Sequence, residues 1–149
     1  MERKQVSVFL ENRQGQLSHA CRTLARARVN ISALSLADTR QFGILRMMIR
    51  DRDRAVEALE ADGFVVKVTD VVVLDVPDRP GGLAEVLETV EKAGINVEYM
   101  YAFTYRTREK GMMVFRFEDA EAATGTLREA GHHVVSSAEL ARRIDAADE

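Results

Sequence analysis

The chain has 149 residues, 46% of them apolar and 30% charged, enough for one ordinary globular domain or two very small ones. Its formal net charge of −3 supplies none of the positive field on which binding to a phosphate backbone or an anionic lipid surface depends. Nucleic acid and membrane are therefore not expected partners.

Met1-Glu2-Arg3-Lys4 runs straight into the alternating strand pattern of Val6, Val8 and Leu10, with no apolar leader, and no stretch approaches a membrane span. A turn follows, Asn12-Arg13-Gln14-Gly15-Gln16, and then Leu17, Ala20, Cys21 and Leu24 at the spacing of one helical stripe. Cys21, the single cysteine, has no internal disulfide partner and reads as a small core residue; a reducing, cytoplasmic setting fits. Val29 to Leu36 is β-prone, Gly43 marks a bend, and Ile44 to Ile49 reads as the returning strand of a hairpin. Ala55, Ala58 and Leu59 give a second helix that stops at Gly63, and Phe64 to Val68 a last strand.

From Val72 the whole pattern begins again. Arg13, Gly15, Leu17, Thr23, Ala27 and Asn30 recur 66 positions later as Arg79, Gly81, Leu83, Thr89, Ala93 and Asn96. Beyond a two-residue insertion in the hairpin, Gly43, Asp51, Ala55, Leu59 and Gly63 recur 68 positions later as Gly111, Asp119, Ala123, Leu127 and Gly131. Val72, Leu74 and Val76 thus predict a strand, and Leu83, Val86, Leu87 and Val90 a helix. Ile95 to Tyr105 and Met112 to Phe117 predict a hairpin around Gly111, Ala123, Thr126 and Leu127 a helix, and His133 to Val135 the final strand. Ser136 and Glu139 then form a capping box for a short helix with Leu140 and Ile144 on its apolar edge.

The order β-α-β-β-α-β, twice, specifies an α+β fold: two ferredoxin-like units, each an antiparallel sheet with helices on one face, at 1–69 and 70–136, with a C-terminal helix and tail at 137–149. Units this small bury too little surface to be comfortable alone, so the two are expected to pack against each other in tandem.

The informative segment is the turn between the first strand and first helix of each unit, Asn12 to Leu17 and Asp78-Arg79-Pro80-Gly81-Gly82-Leu83. A glycine just before a helix lets the backbone approach a bound group, and the helix N-terminus offers unpaired N–H donors to a carboxylate. Asn12 both donates and accepts and can serve either end of a zwitterion; Asp78 only accepts. The same residues also suit a plain helix cap and tight turn.

Leu10 to Leu17, followed by Val29-Asn30-Ile31, resembles the ACT domain, the regulatory module of phosphoglycerate dehydrogenase, aspartokinase and the acetohydroxyacid synthase small subunit. Asp78 to Leu83 with Gly94-Ile95-Asn96-Val97 resembles it equally. The resemblance implies a regulatory protein rather than an enzyme, with no cofactor, metal or catalytic residue. It would bind a free amino acid where two units meet, through the loop of one and the asparagine opening the second strand of the other. It would set Asn12, Arg13, Gln14, Gly15, Gln16 and Leu17 with Asn96 and Val97, and Asp78, Arg79, Pro80, Gly81, Gly82 and Leu83 with Asn30 and Ile31. Serine-binding members carry a histidine two residues before the loop asparagine, where this chain has Leu10 and Val76, which weakens an assignment to serine. The alternative is a regulatory subunit docking on an amino-acid biosynthetic enzyme such as acetohydroxyacid synthase, although the well-formed second loop argues against that particular family. A homodimer is compatible with either.

His132-His133, adjacent on a predicted strand, should point to opposite faces, which disfavours a shared metal. His19 reads as a surface residue within reach of a ligand at the loop. Tyr99, Tyr101, Phe103 and Tyr105 alternate along one face and read as packing rather than as a base-stacking platform. Asp51 to Arg54 and Arg106 to Lys110 read as solvated charge.

Overall fold

The computed structural model describes residues 3–107 and 109–147, with side chains for all of these but 105–107. Met1, Glu2, Arg108, Asp148 and Glu149, and the side chains of Tyr105, Arg106 and Thr107, lie outside the described residues. The chain forms two units, Arg3–Thr69 and Asp70–Glu149.

In the first unit β1 (Lys4–Glu11) leads to α1 (Gln16–Arg26), β2 (Ile31–Asp38), β3 (Phe42–Ile49), α2 (Arg52–Ala61) and β4 (Val65–Asp70). The strands lie in the order β4-β1-β3-β2, with β1 and β2 both antiparallel to β3: Val8 and Leu36 each oppose Leu45. The alternation sends Val6, Val8 and Leu10 to one face, where they pack with Leu45, Met47, Ala20, Leu24, Ala55 and Leu59. Each such leucine or valine contributes about 1.5–3 kcal/mol through burial.

The second unit repeats this with β5 (Val72–Pro77), α3 (Gly82–Lys92), β6 (Val97–Thr107), β7 (Lys110–Phe117) and α4 (Ala120–Glu129), followed by α5 (Ser137–Ala147). Its strands run β6-β7-β5, and Val72, Leu74, Val86, Val90, Phe115, Phe117 and Leu127 make its core. The ferredoxin-like α+β reading therefore holds for both halves.

Four local expectations change. Gly43 and Gly111 lie inside β3 and β7 rather than at the bends, because the hairpin tips fall just before them. His133 to Val135 does not form a full strand: Val134 makes an isolated bridge to Leu74. Asp75 N–H donates to the His133 carbonyl (3.1 Å) and Val135 N–H to the Val73 carbonyl (2.8 Å), after which Ser136 starts α5. In α1 the buried residues are Ala20, Thr23 and Leu24, while Leu17 is 40% exposed at the open first turn. Cys21 is only partly buried, because the core stripe passes on to Ala27. In β6, by contrast, Tyr101 and Phe103 are buried, in keeping with the packing role expected of them. Among the described residues no helix is long and apolar enough to cross a membrane.

Candidate functional site

The two strand-to-helix loops are built alike. Gly15 (φ 92°) and Gly81 (φ 86°) sit at the N-caps of α1 and α3 in the left-handed region, which glycine enters without the Cβ penalty. Having no side chain, neither glycine caps its helix. Asp119, by contrast, accepts from Ala122 N–H at the start of α4 (3.1 Å), and Ser136 Oγ from Glu139 N–H at the start of α5 (3.1 Å). The first turns of α1 and α3 thus begin without the side-chain acceptor found at α4 and α5, as does α2, whose Asp51 makes no such bond; the Gln16 and Gly82 amides donate instead to the carbonyls of Arg13 (3.3 Å) and Arg79 (3.0 Å).

Around Gly15, Asn12 N–H donates to the Gln41 carbonyl (2.9 Å). Its Nδ2 donates to the carbonyls of Arg40 (3.3 Å) and Thr39 (3.5 Å), so Asn12 ties the loop to the β2–β3 hairpin tip. Arg13 Nε pairs with Glu11 Oε2 at 2.8 Å, and Gln14 is exposed. Around Gly81, Asp78 N–H donates to the Glu109 carbonyl (2.7 Å), and Arg79 Nη2 reaches both carboxylate oxygens of Glu85 (3.0 and 3.1 Å).

The close approach expected of a loop glycine occurs at Gly82, toward the chain itself: a Cβ there would lie 2.0 Å from the Pro77 carbonyl oxygen. Nothing lies within 4 Å of a Cβ at Gly15 or Gly81. Asn12, Asp78, Pro80, Asn30 and Asn96 are exposed, and Ile31, Leu83 and Val97 half-buried.

His19, one turn into α1, is not simply solvated. Its Nε2 lies 3.6 Å from Asp62 Oδ2, its ring packs on Phe64 with centroids 4.8 Å apart and planes tilted by 56°, and the Thr23 hydroxyl donates to Asp62 Oδ2 (2.5 Å). His19, Asp62 and Phe64, with Arg13, Phe9 and Phe42, line an open pocket of about 380 Å³. Asp62 and Phe64 carry no motif; Asp62-Gly63-Phe64 reads in the sequence only as a helix stop.

His132 and His133 do part as expected. His132 Nε2 lies 3.1 Å from Thr89 Oγ1 on α3, and His133 Nε2 donates to Glu139 Oε1 on α5 (2.7 Å). Asp75, His133 and Glu139 bring ligand atoms within 4.8 Å of one another. Arg143, however, spans both oxygens of Asp75 and also reaches Glu139, supplying the positive charge that a metal would bring. Burial acts to raise the Glu139 carboxyl, but the His133 hydrogen bond and the Arg143 charge outweigh it and hold the group below its ordinary range.

Comparison with known proteins places this geometry. The family model described as an ACT domain pair matches residues 1–144. Protein BT0572 from Bacteroides thetaiotaomicron is 36% identical, with a TM-score of 0.85 over 93% of this chain and 94% of that one. The regulatory subunit of aspartate kinase from Thermus thermophilus, in its ligand-free form, is similar in fold at 17% identity, with a TM-score of 0.63 over 88% of this chain and 94% of that one. The corresponding subunit from Thermus flavus gives 19%, 0.60, 85% and 91%. No curated protein matches the chain. With two loops of one design, two βαβ-based units and a model match over nearly its whole length, the chain belongs to the ACT domain family, as an ACT domain pair.

Proposed function

We propose that the protein is a regulatory sensor that binds a free amino acid without transforming it, through the loops Asn12–Leu17 and Asp78–Leu83. The observation that carries this is the start of α1 and α3 on glycines without a capping side chain. Apart from Gln16 and Gly82, whose amides donate to the Arg13 and Arg79 carbonyls, their first-turn amides and positive dipole ends suit a ligand carboxylate. The joining of Asn96 and Val97 to the first loop, and of Asn30 and Ile31 to the second, rests on the resemblance to other ACT domains. Asn12 has both donor and acceptor groups for a zwitterion, whereas Asp78 attracts only the ammonium, so the first loop should bind more tightly.

Calorimetric titration with the twenty amino acids tests this. Each asparagine contact to a charged group is worth about 1.5–3 kcal/mol, so Asn12→Ala and Asn96→Ala should weaken the tighter site roughly ten- to a hundred-fold, and Asp78→Ala mainly the weaker one. Asn12 also tethers the Thr39–Gln41 turn. Unchanged affinity with a lowered melting point in Asn12→Ala, together with unchanged affinity in Asn96→Ala, would make it a structural tie and sink the reading.

A second reading gives the sensor a client, an amino-acid biosynthetic enzyme on which the chain docks as a separate regulatory subunit. It is supported by the two Thermus chains, named as regulatory subunits of aspartate kinase, whose lengths this chain covers almost entirely. Co-purification of a biosynthetic enzyme whose activity then responds to the bound amino acid is the expected outcome.

A further inference from the structure

We infer that the outer face of α1 and α2 is a self-association surface, on which a second copy of this chain docks about a two-fold axis. The face belongs wholly to the first unit. It uses no residue of the Asn12–Leu17 or Asp78–Leu83 loops, and a dimer formed there stands or falls apart from the amino-acid sites proposed above.

The two helices lie side by side. Ala20 and Leu24 of α1 share a core with Ala55 and Leu59 of α2, and Thr23 of α1 donates to Asp62 at the C-cap of α2. Their solvent sides carry opposite charge. Arg22 and Arg26 are exposed one turn apart on α1, and Glu57 and Glu60 are exposed one turn apart on α2. Among the described residues none of these four is held in an ion pair. The remaining charges of α2 are occupied, Arg52 with Asp53 at 3.6 Å and Arg54 with Asp51 at 3.2 Å.

Neither pair sits comfortably in its own helix. Like charges one turn apart repel, and Glu60 lies in the last turn of α2, where the negative end of the helix dipole opposes it. Opposite charge laid across each helix offsets both effects. A two-fold axis passing between the helices sets α1 of each copy over α2 of the other, so that both arginine pairs meet glutamates. A foreign partner requires no such matched opposites on one face. The exposed Ser18, Ala25 and Ala61 are small enough for helix layers to approach to about 8–10 Å. Helices of eleven and ten residues are about 15 Å long. The contact is therefore smaller than the roughly 1,200 Å² of stable complexes, and belongs to the transient, salt-sensitive kind.

The second unit does not repeat the pattern. At the equivalent positions α3 has Glu88 and Lys92, opposite signs one turn apart, and α4 has Gly125 and Arg128. That is the interspersed charge of a solvated surface.

Sedimentation equilibrium of the full chain tests the surface. Association should be visible at low salt and weaken at least about ten-fold between roughly 20 mM and 500 mM sodium chloride. The double reversals Arg22→Glu with Arg26→Glu, and Glu57→Lys with Glu60→Lys, should each abolish it. An equimolar mixture of the two should restore it, since every contact then again joins opposite signs. The milder pair Arg22→Gln with Arg26→Gln should weaken association about ten-fold, and provides the same test if circular dichroism shows that a reversal unfolds the chain. A natural chain with no concentration-dependent association at low salt overturns the inference. So does association that survives the changes on either helix, or that mixing two folded reversals fails to restore.

Discussion

Arg143 closes a two-point clamp on Asp75, with Nη1 2.6 Å from Oδ1 and Nη2 2.9 Å from Oδ2, across 68 positions of sequence. Asp75 lies on β5 with its side chain 4% exposed, and Arg143 carries α5 with it. Removing one partner strands a buried charge, whereas replacing both with apolar groups does not. Arg143→Met should therefore cost about 3 kcal/mol, and the double change Asp75→Leu, Arg143→Met should recover most of that. Denaturant unfolding of the single and double variants measures it; a single-variant cost below about 1 kcal/mol would show a clamp no stronger than a surface pair.

Acid should loosen the same assembly through Glu139. The folded-state carboxyl sits below its ordinary value of 4.5, so its contribution is fully present above that value and disappears as the pH falls through the lowered folded value. Melting temperatures between pH 7 and pH 3 should fall more steeply for the natural chain than for Glu139→Gln. Parallel curves would remove Glu139 from the acid response. Arg143, held protonated by its hydrogen bond to Asp75 against the opposing effect of burial, stays charged throughout.

The loop glycines should differ sharply. Gly15→Ala and Gly81→Ala place a Cβ in open space but in the left-handed region, at about 1–2 kcal/mol each. Gly82→Ala drives a Cβ into the Pro77 carbonyl, and β5 or the start of α3 must move. It should be the most destabilising of the three by thermal unfolding, and equal costs would contradict this geometry.

Arg28 should be improvable. It follows the C-cap of α1 with φ 57°, where the second unit has Gly94 with φ 72° after α3. Arg28→Gly should raise stability by about 1 kcal/mol, and Gly94→Ala lower it by a similar amount. A shift of the denaturant midpoint in opposite directions for the two variants is the expected result.

The strands and helices were legible because their apolar spacing is regular. Val6, Val8 and Leu10 alternate, and Val86 and Val90 lie one turn apart. The repeat then located both loops. What escaped depends on approaches between distant segments. The last strand shrank to a bridge at Val134 because two hydrogen bonds suffice to anchor it before α5 begins. The capping box was half realised: Glu139 N–H bonds to Ser136, but its carboxylate turns to His133 and Arg143. The polar Asp75 within Val72-Val73-Leu74-Asp75-Val76 was the available hint that something charged must cover that strand. Asp62 and Phe64 offered no comparable hint, since their relation to His19 exists only once α2 has folded beside α1.

Gly82 and its repeat counterpart Gln16 carry an evolutionary consequence. In the second loop any side chain at this position collides with the Pro77 carbonyl, so inheritable variation there is closed off. In the first loop the same position already holds a long polar side chain at the start of α1. The two units carry two versions of one loop, and only the first has room for a side chain at this position. Sequence change at this one position is therefore open to the first loop, while the second is held at glycine by its own backbone.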